Sequence, residues 1–210
     1  MPAATVKGSS IPGWYGKMPS LGDFVSRRLP DEFTRLWDDW LQAGMARARA
    51  EMGAEWLPRY LVAPVRRFWL APGLMSAPGW VGVLMPSIDG VGRYFPLTIA
   101  AATPPAEHSL ATALAAREWY RSVDATARMA LDVTFGVDDL EDELAHAAPW
   151  RADQPSGIEA LQLADAALDA KGARNRSVWW CGDAGPTTSL ACYAALPPVS
   201  EFGSLLMEPA

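Results

Sequence analysis

The sequence predicts an α/β fold: a single domain whose mixed β-sheet is covered by helices in an α-β-α sandwich-like arrangement. Three observations carry this expectation. Short stretches rich in β-branched and aromatic residues, bounded by Pro and Gly, read as strands. Stretches with apolar residues spaced i, i+3, i+4 and i+7 alternate with them and read as helices. The 210 residues, half of them apolar and including ten tryptophans, suffice to fill one sizeable core.

In chain order, residues 1–12 are small and polar without a period and are expected to form a flexible N-terminal tail. A helix is predicted from Pro30-Asp31, because Pro suits a first turn and Asp31 with Glu32 complements the positive end of the helix dipole. Phe33, Leu36, Trp37, Trp40 and Leu41 fall on one stripe of it, and Leu57-Pro58 forces an extended or turn conformation after it. Val65–Leu70, Gly79–Met85 and Tyr94–Ala101 read as strands, the first with one wet side because of Arg66 and Arg67. Ser109 is placed to cap a helix running toward Met129, and a short acidic helix is predicted over Asp138–Ala147. Ser156 and Glu159 have capping-box spacing for a further helix ending at Gly172. Ser177–Cys181 and Leu190–Leu196 read as two last strands. The domain is thus expected over 13–197, with 198–210 as an appended C-terminal tail.

A net charge of −6 argues against a general nucleic-acid or anionic-membrane binder, whose footprint is a basic excess. Residues 1–75 carry ten Lys/Arg against seven Asp/Glu, so the acidity lies in the rest of the chain. Two cysteines, Cys181 and Cys192, are too few for a disulfide framework or a zinc site and point to the cytoplasm. The N-terminus lacks the apolar core of a signal peptide. Phe68–Ile88 is free of charge and long enough to span a bilayer, but Pro72, Gly73, Pro78, Gly79, Gly82 and Pro86 interrupt it, so two buried strands joined by turns are expected and no membrane insertion.

No catalytic constellation stands out. His108 and His146 have neither metal-ligand spacing nor a neighbouring cysteine. Asp89-Gly90-Val91-Gly92-Arg93 lacks the third glycine of a dinucleotide loop, since Phe95 stands in its place. The run from Asp138 to Glu143 reads as a solvated face. No cofactor or metal is therefore expected. Asp23 and Asp89 each sit in a glycine-rich turn, where a carboxylate either caps its own backbone or faces a partner. Arg27, Arg28 and Arg93 offer forked donors for an anion or an internal acid. A small-ligand-binding or hydrolytic cleft near Asp23, Ser87, Asp89 and Arg93 is the alternative reading, and it requires a histidine beside Ser87.

Residues 13–24 (Gly-Trp-Tyr-Gly-Lys-Met-Pro-Ser-Leu-Gly-Asp-Phe) and 82–97 (Gly-Val-Leu-Met-Pro-Ser-Ile-Asp-Gly-Val-Gly-Arg-Tyr-Phe-Pro-Leu) follow an order that periodicity does not explain. Together with Phe33, Trp37–Leu41 and Ser177–Trp180, they resemble the TagF (ImpM or SciT) family of type VI secretion. The family pattern has a basic residue where Gly90 stands. The resemblance implies an α/β sandwich and a non-enzymatic, cytoplasmic protein that represses assembly of the secretion system after translation. It does so by binding other system components, a forkhead-associated scaffold protein being the leading candidate. Some relatives carry a fused metal-dependent phosphatase domain; none is expected here. Interfaces draw most of their energy from aromatic and Arg anchors, so Trp14, Tyr15, Lys17, Asp23, Asp89, Arg93 and Tyr94 are the candidate partner-binding residues.

Overall fold

The computed structural model describes residues 11–151, 176–185 and 187–207. One sheet contains β1 (Gly13–Gly16), β2 (Val25–Arg27), β3 (Arg66–Leu70), β4 (Gly79–Met85), β5 (Leu97–Thr103), β6 (Ser177–Trp180) and β7 (Ala191–Tyr193). Their spatial order is β2-β1-β5-β4-β3-β6-β7. The α/β class and the helical cover stand as predicted. The strand directions differ from a mixed sheet, because every pairing is antiparallel. The topology explains why: β3, β4 and β5 follow one another through helix-free turns, which suit antiparallel neighbours, and the helical crossovers join strands that are not adjacent.

Helices α1 (Asp31–Met52), α2 (Trp56–Leu61) and α6 (Phe202–Met207) cover one face; α3 (Leu110–Ala115), α4 (Arg117–Met129) and α5 (Val137–Ala145) cover the other. Strand alternation divides the core between them. Trp14, Trp69, Val81, Val83, Ile99 and Trp180 point to the α4 side, while Tyr15, Phe68, Leu70, Trp80, Leu84 and Trp179 point to the α1 side. On the α1 side, Trp37 lies 5.4 Å from Phe33, 5.0 Å from Trp40 and 5.0 Å from Phe68, measured between ring centroids. Its indole N–H donates to Thr98 Oγ1 at 2.8 Å, which satisfies two polar groups in the interior.

Several expectations need correction. Leu36 is exposed, because it sits at the margin of the Phe33, Trp37, Trp40, Leu41 stripe that faces the sheet. Arg66 and Arg67 leave no wet side on β3; both are buried, and Arg67 Nη1 donates to Asp183 Oδ1 at 2.9 Å. Leu57-Pro58 lies inside α2, where Pro58 occupies the first turn and its missing N–H costs no helical bond. The helix capped by Ser109, whose Oγ accepts from Thr112 N at 3.0 Å, breaks at Ala116 into α3 and α4. The predicted strand from Tyr94 begins only at Leu97. The Ser156–Glu159 capping box, Gly172 and residues 1–10 lie outside the described residues.

The C-terminal segment is not an appended tail over its described part. Phe202, Leu205, Leu206 and Met207 are buried against α1, and Trp40 Nε1 donates to Pro197 O at 2.9 Å. Gly44 makes this docking possible, since a Cβ there would stand 2.3 Å from the Phe202 ring. Phe202→Ala is expected to lower unfolding stability by about 3 to 5 kcal/mol in urea titration, the cost of emptying a large core site.

Candidate functional site

The C-terminal ends of β1 and β4 both pair with the start of β5, so the loops that follow them leave the same end of the sheet side by side. Gly16 closes β1 with φ 139, and a Cβ there would stand 2.2 Å from Pro96 O. Only glycine allows this approach, which brings the segment after β1 onto the segment before β5.

The two sequence blocks meet at Lys17 and Asp89. Lys17 Nζ lies 2.7 Å from Asp89 Oδ2, with side chains 5% and 0% exposed. The same Oδ2 accepts from Arg93 Nε at 2.7 Å, while Oδ1 accepts from the backbone N–H of Val91 at 3.1 Å and of Arg93 at 2.8 Å. Burial opposes the Asp89 charge, but the hydrogen bonds from Lys17, Arg93 and Val91 outweigh it and hold the carboxyl well below the usual carboxylate range. Gly90 N–H donates to Leu21 O at 2.7 Å and Ser87 Oγ to Lys17 O at 2.8 Å, which adds two further ties between the blocks. Arg93 Nη2 reaches Gly22 O at 2.5 Å. From the α1 side, Tyr60 Oη donates to Ser87 O at 2.9 Å and accepts from Ser87 N–H at 3.0 Å.

The seven candidate residues divide into buried supports and exposed groups. Trp14 is buried, and its indole N–H donates to Glu141 Oε1 of α5 at 2.6 Å. Arg28, at φ 58, bonds both Glu141 and Pro12 O. Tyr15 is buried, with its hydroxyl 2.5 Å from Asp38 Oδ1 of α1; burial, the Asp38 hydrogen bond and the Asp38 charge all push its pKa up. Lys17 and Asp89 are buried, whereas Asp23 and Arg93 are exposed. Tyr94 is half-buried and meets Trp56 and Tyr60 edge to face, with centroids 5.7 Å away in each case.

Phe24 and Val91 belong to the same end of the sheet but are not among the candidates read from sequence. Phe24 is exposed, yet it stacks on Tyr15 at 5.9 Å and meets Phe95 edge-on at 4.7 Å, with Lys17 Nζ 4.6 Å from its ring. Val91 is 69% exposed at the tip of the second loop. Their only sequence signal is their place within the two blocks; apolar residues there read as core.

The hydrolytic alternative does not find its base. Ser87 is buried and its hydroxyl is spent on Lys17 O, while neither histidine hydrogen-bonds to it. His108 accepts from Trp69 Nε1 through its carbonyl, and His146 Nδ1 lies 2.6 Å from Asp142 O. Among the described residues, no group of three or more His, Cys, Asp or Glu is placed to hold a metal ion. No described helix is long and apolar enough to cross a membrane. Phe68–Ile88 instead forms the end of β3, a turn and all of β4.

The described residues form a three-layer α-β-α sandwich with two loops clasped by a buried ion pair. The model of the TagF N-terminal domain family, described as type VI secretion system-associated, matches residues 13–147, and the chain belongs to this family. The crystal structure of PA0076 from Pseudomonas aeruginosa PAO1 is similar over 95% of both chains, with a TM-score of 0.76 and 36% sequence identity. No curated protein matches the chain.

The lowered pKa of Asp89 sets an acid-side dependence. Its stabilising contribution is fully present above the unfolded-state pKa of about 4, and it is lost as pH falls from there through the lower folded-state value. Asp89→Asn is therefore expected to flatten the fall in unfolding stability below about pH 4 relative to wild type, as followed by urea titration at stepped pH. Parallel profiles would place the acid sensitivity on other carboxylates.

Proposed function

We propose that this type VI secretion-associated protein is a non-enzymatic, cytoplasmic negative regulator of secretion-system assembly. It acts after translation by binding a system component, and a forkhead-associated scaffold protein is the leading candidate. The observation that carries this reading is the end of the sheet where Lys17–Asp89 fixes two loops and leaves Phe24, Val91 and Arg93 in solvent. Fixed aromatic, aliphatic and Arg groups are what a protein interface uses as anchors, because little side-chain entropy remains to be lost on binding. Asp23 and Tyr94 border the same surface. Trp14, Tyr15, Lys17 and Asp89 act as its supports rather than as contacts.

Repression by binding predicts a dose effect. Overproducing the chain in its native cell is expected to lower secretion of the system's substrates while the cellular amounts of the system's proteins stay constant, and the purified chain is expected to co-elute with the scaffold protein. Unchanged secretion on overproduction would contradict the regulatory role.

A further inference from the structure

The exposed groups at this end of the sheet have a chemistry that specifies more than protein binding. Lys17 answers the Asp89 charge in the interior, so the Lys17–Asp89–Arg93 cluster keeps one surplus positive charge. That surplus sits on Arg93, whose side chain is 56% exposed. Its guanidinium is held at Nε by Asp89 and at Nη2 by Gly22 O, while Nη1 has no hydrogen bond among the described residues. Phe24 and Val91 flank it as apolar groups. At the end of α2, Leu61 is 61% and Val62 80% exposed. Tyr60, the residue before them, is fastened to the second loop through Ser87 and Tyr94.

We infer that this surface takes a protein segment that brings a carboxylate to Arg93 and apolar side chains to Phe24, Val91 and the Leu61–Val62 corner. The inference rests on the reading of the chain as a protein-binding regulator and adds which residues touch the partner and what the partner must present. Charge complementarity selects the acid: an immobilised guanidinium with a free edge favours a planar carboxylate. The exposed apolar residues beside it select an amphipathic segment over a purely acidic one.

The test measures binding of the purified chain to the forkhead-associated scaffold protein of the same system, with the variants Arg93→Glu, Val91→Asp and Leu61→Asp. Arg47→Ala on the far exposed face of α1 serves as the control. All three surface variants are expected to weaken binding by about ten-fold or more and the control to leave it intact. Val91→Asp and Leu61→Asp do so at unchanged melting temperature, while Arg93→Glu, which also removes a donor from Asp89, is read through its rescue. Replacing acidic residues of the scaffold protein by Lys is expected to include one change that restores binding to Arg93→Glu. Tight wild-type binding that the variants leave untouched would overturn this inference and spare the regulatory reading. Absence of wild-type binding would overturn this inference, and the regulatory reading would fall with it only if overproduction also left secretion unchanged. Binding lost on dephosphorylating the scaffold protein would assign a phosphate instead of a carboxylate. A dimer in ultracentrifugation that Val91→Asp and Leu61→Asp make monomeric would make the surface a self-interface. Either of these last results would overturn the proposal.

Discussion

A lysine and an aspartate separated by 72 positions in the chain meet in the interior, 2.7 Å apart and almost fully shielded from water. A pair of this kind is a weak source of net stability, because desolvating two ions offsets most of their attraction. Its effect lies in specification: removing Asp89 leaves the buried Lys17 without a counter-ion, and removing Lys17 leaves the shielded carboxylate to Arg93 alone, so the two loops are held to one relative position. Asp89 strengthens this by accepting two backbone N–H groups of its own turn, which fixes the tip carrying Val91 and Arg93. The exposed Val91 and Arg93 take their positions from that carboxylate.

The rest of the sandwich supplies the platform. Antiparallel pairing of β1 and β4 with β5 brings both loops to one end, and Gly16 lets them close on each other. From one side the α1 layer locks Tyr15 through Asp38 and Ser87 through Tyr60; from the other, α5 locks Trp14 through Glu141. The aromatic richness of the two blocks therefore serves two ends. Most of it joins layers, and only Phe24, with half of Tyr94, reaches the surface.

Much of this was legible in the sequence. Pro- and Gly-bounded strands interleaved with helices such as the α1 stripe gave the layers, and the order of residues in the two blocks gave the family. Periodicity could not tell antiparallel from mixed pairing, since that depends on which strands become neighbours. Nor does composition reveal that Lys17 and Asp89 would be buried, because an ion pair hides inside only when the fold brings its partners together. The split at Ala116 has no Gly or Pro to announce it, and the docking of Phe202 depends on Gly44, 158 positions away (202 − 44) and unmarked by any local pattern. At the site, the charged residues drew notice by type. Phe24, Val91, Leu61 and Val62 did not, since an apolar residue reads as core until the fold shows it in solvent.

Asp89 couples the two loops, and amide hydrogen exchange of wild type against Asp89→Asn measures that coupling most directly. The predicted result is a joint loss of protection: at Val91 and Arg93, whose N–H groups bond the carboxylate, at Gly90, which bonds Leu21, and across residues 17–24. Faster exchange confined to 89–93, with residues 17–24 as protected as before, would contradict it and reduce Asp89 to the cap of its own turn.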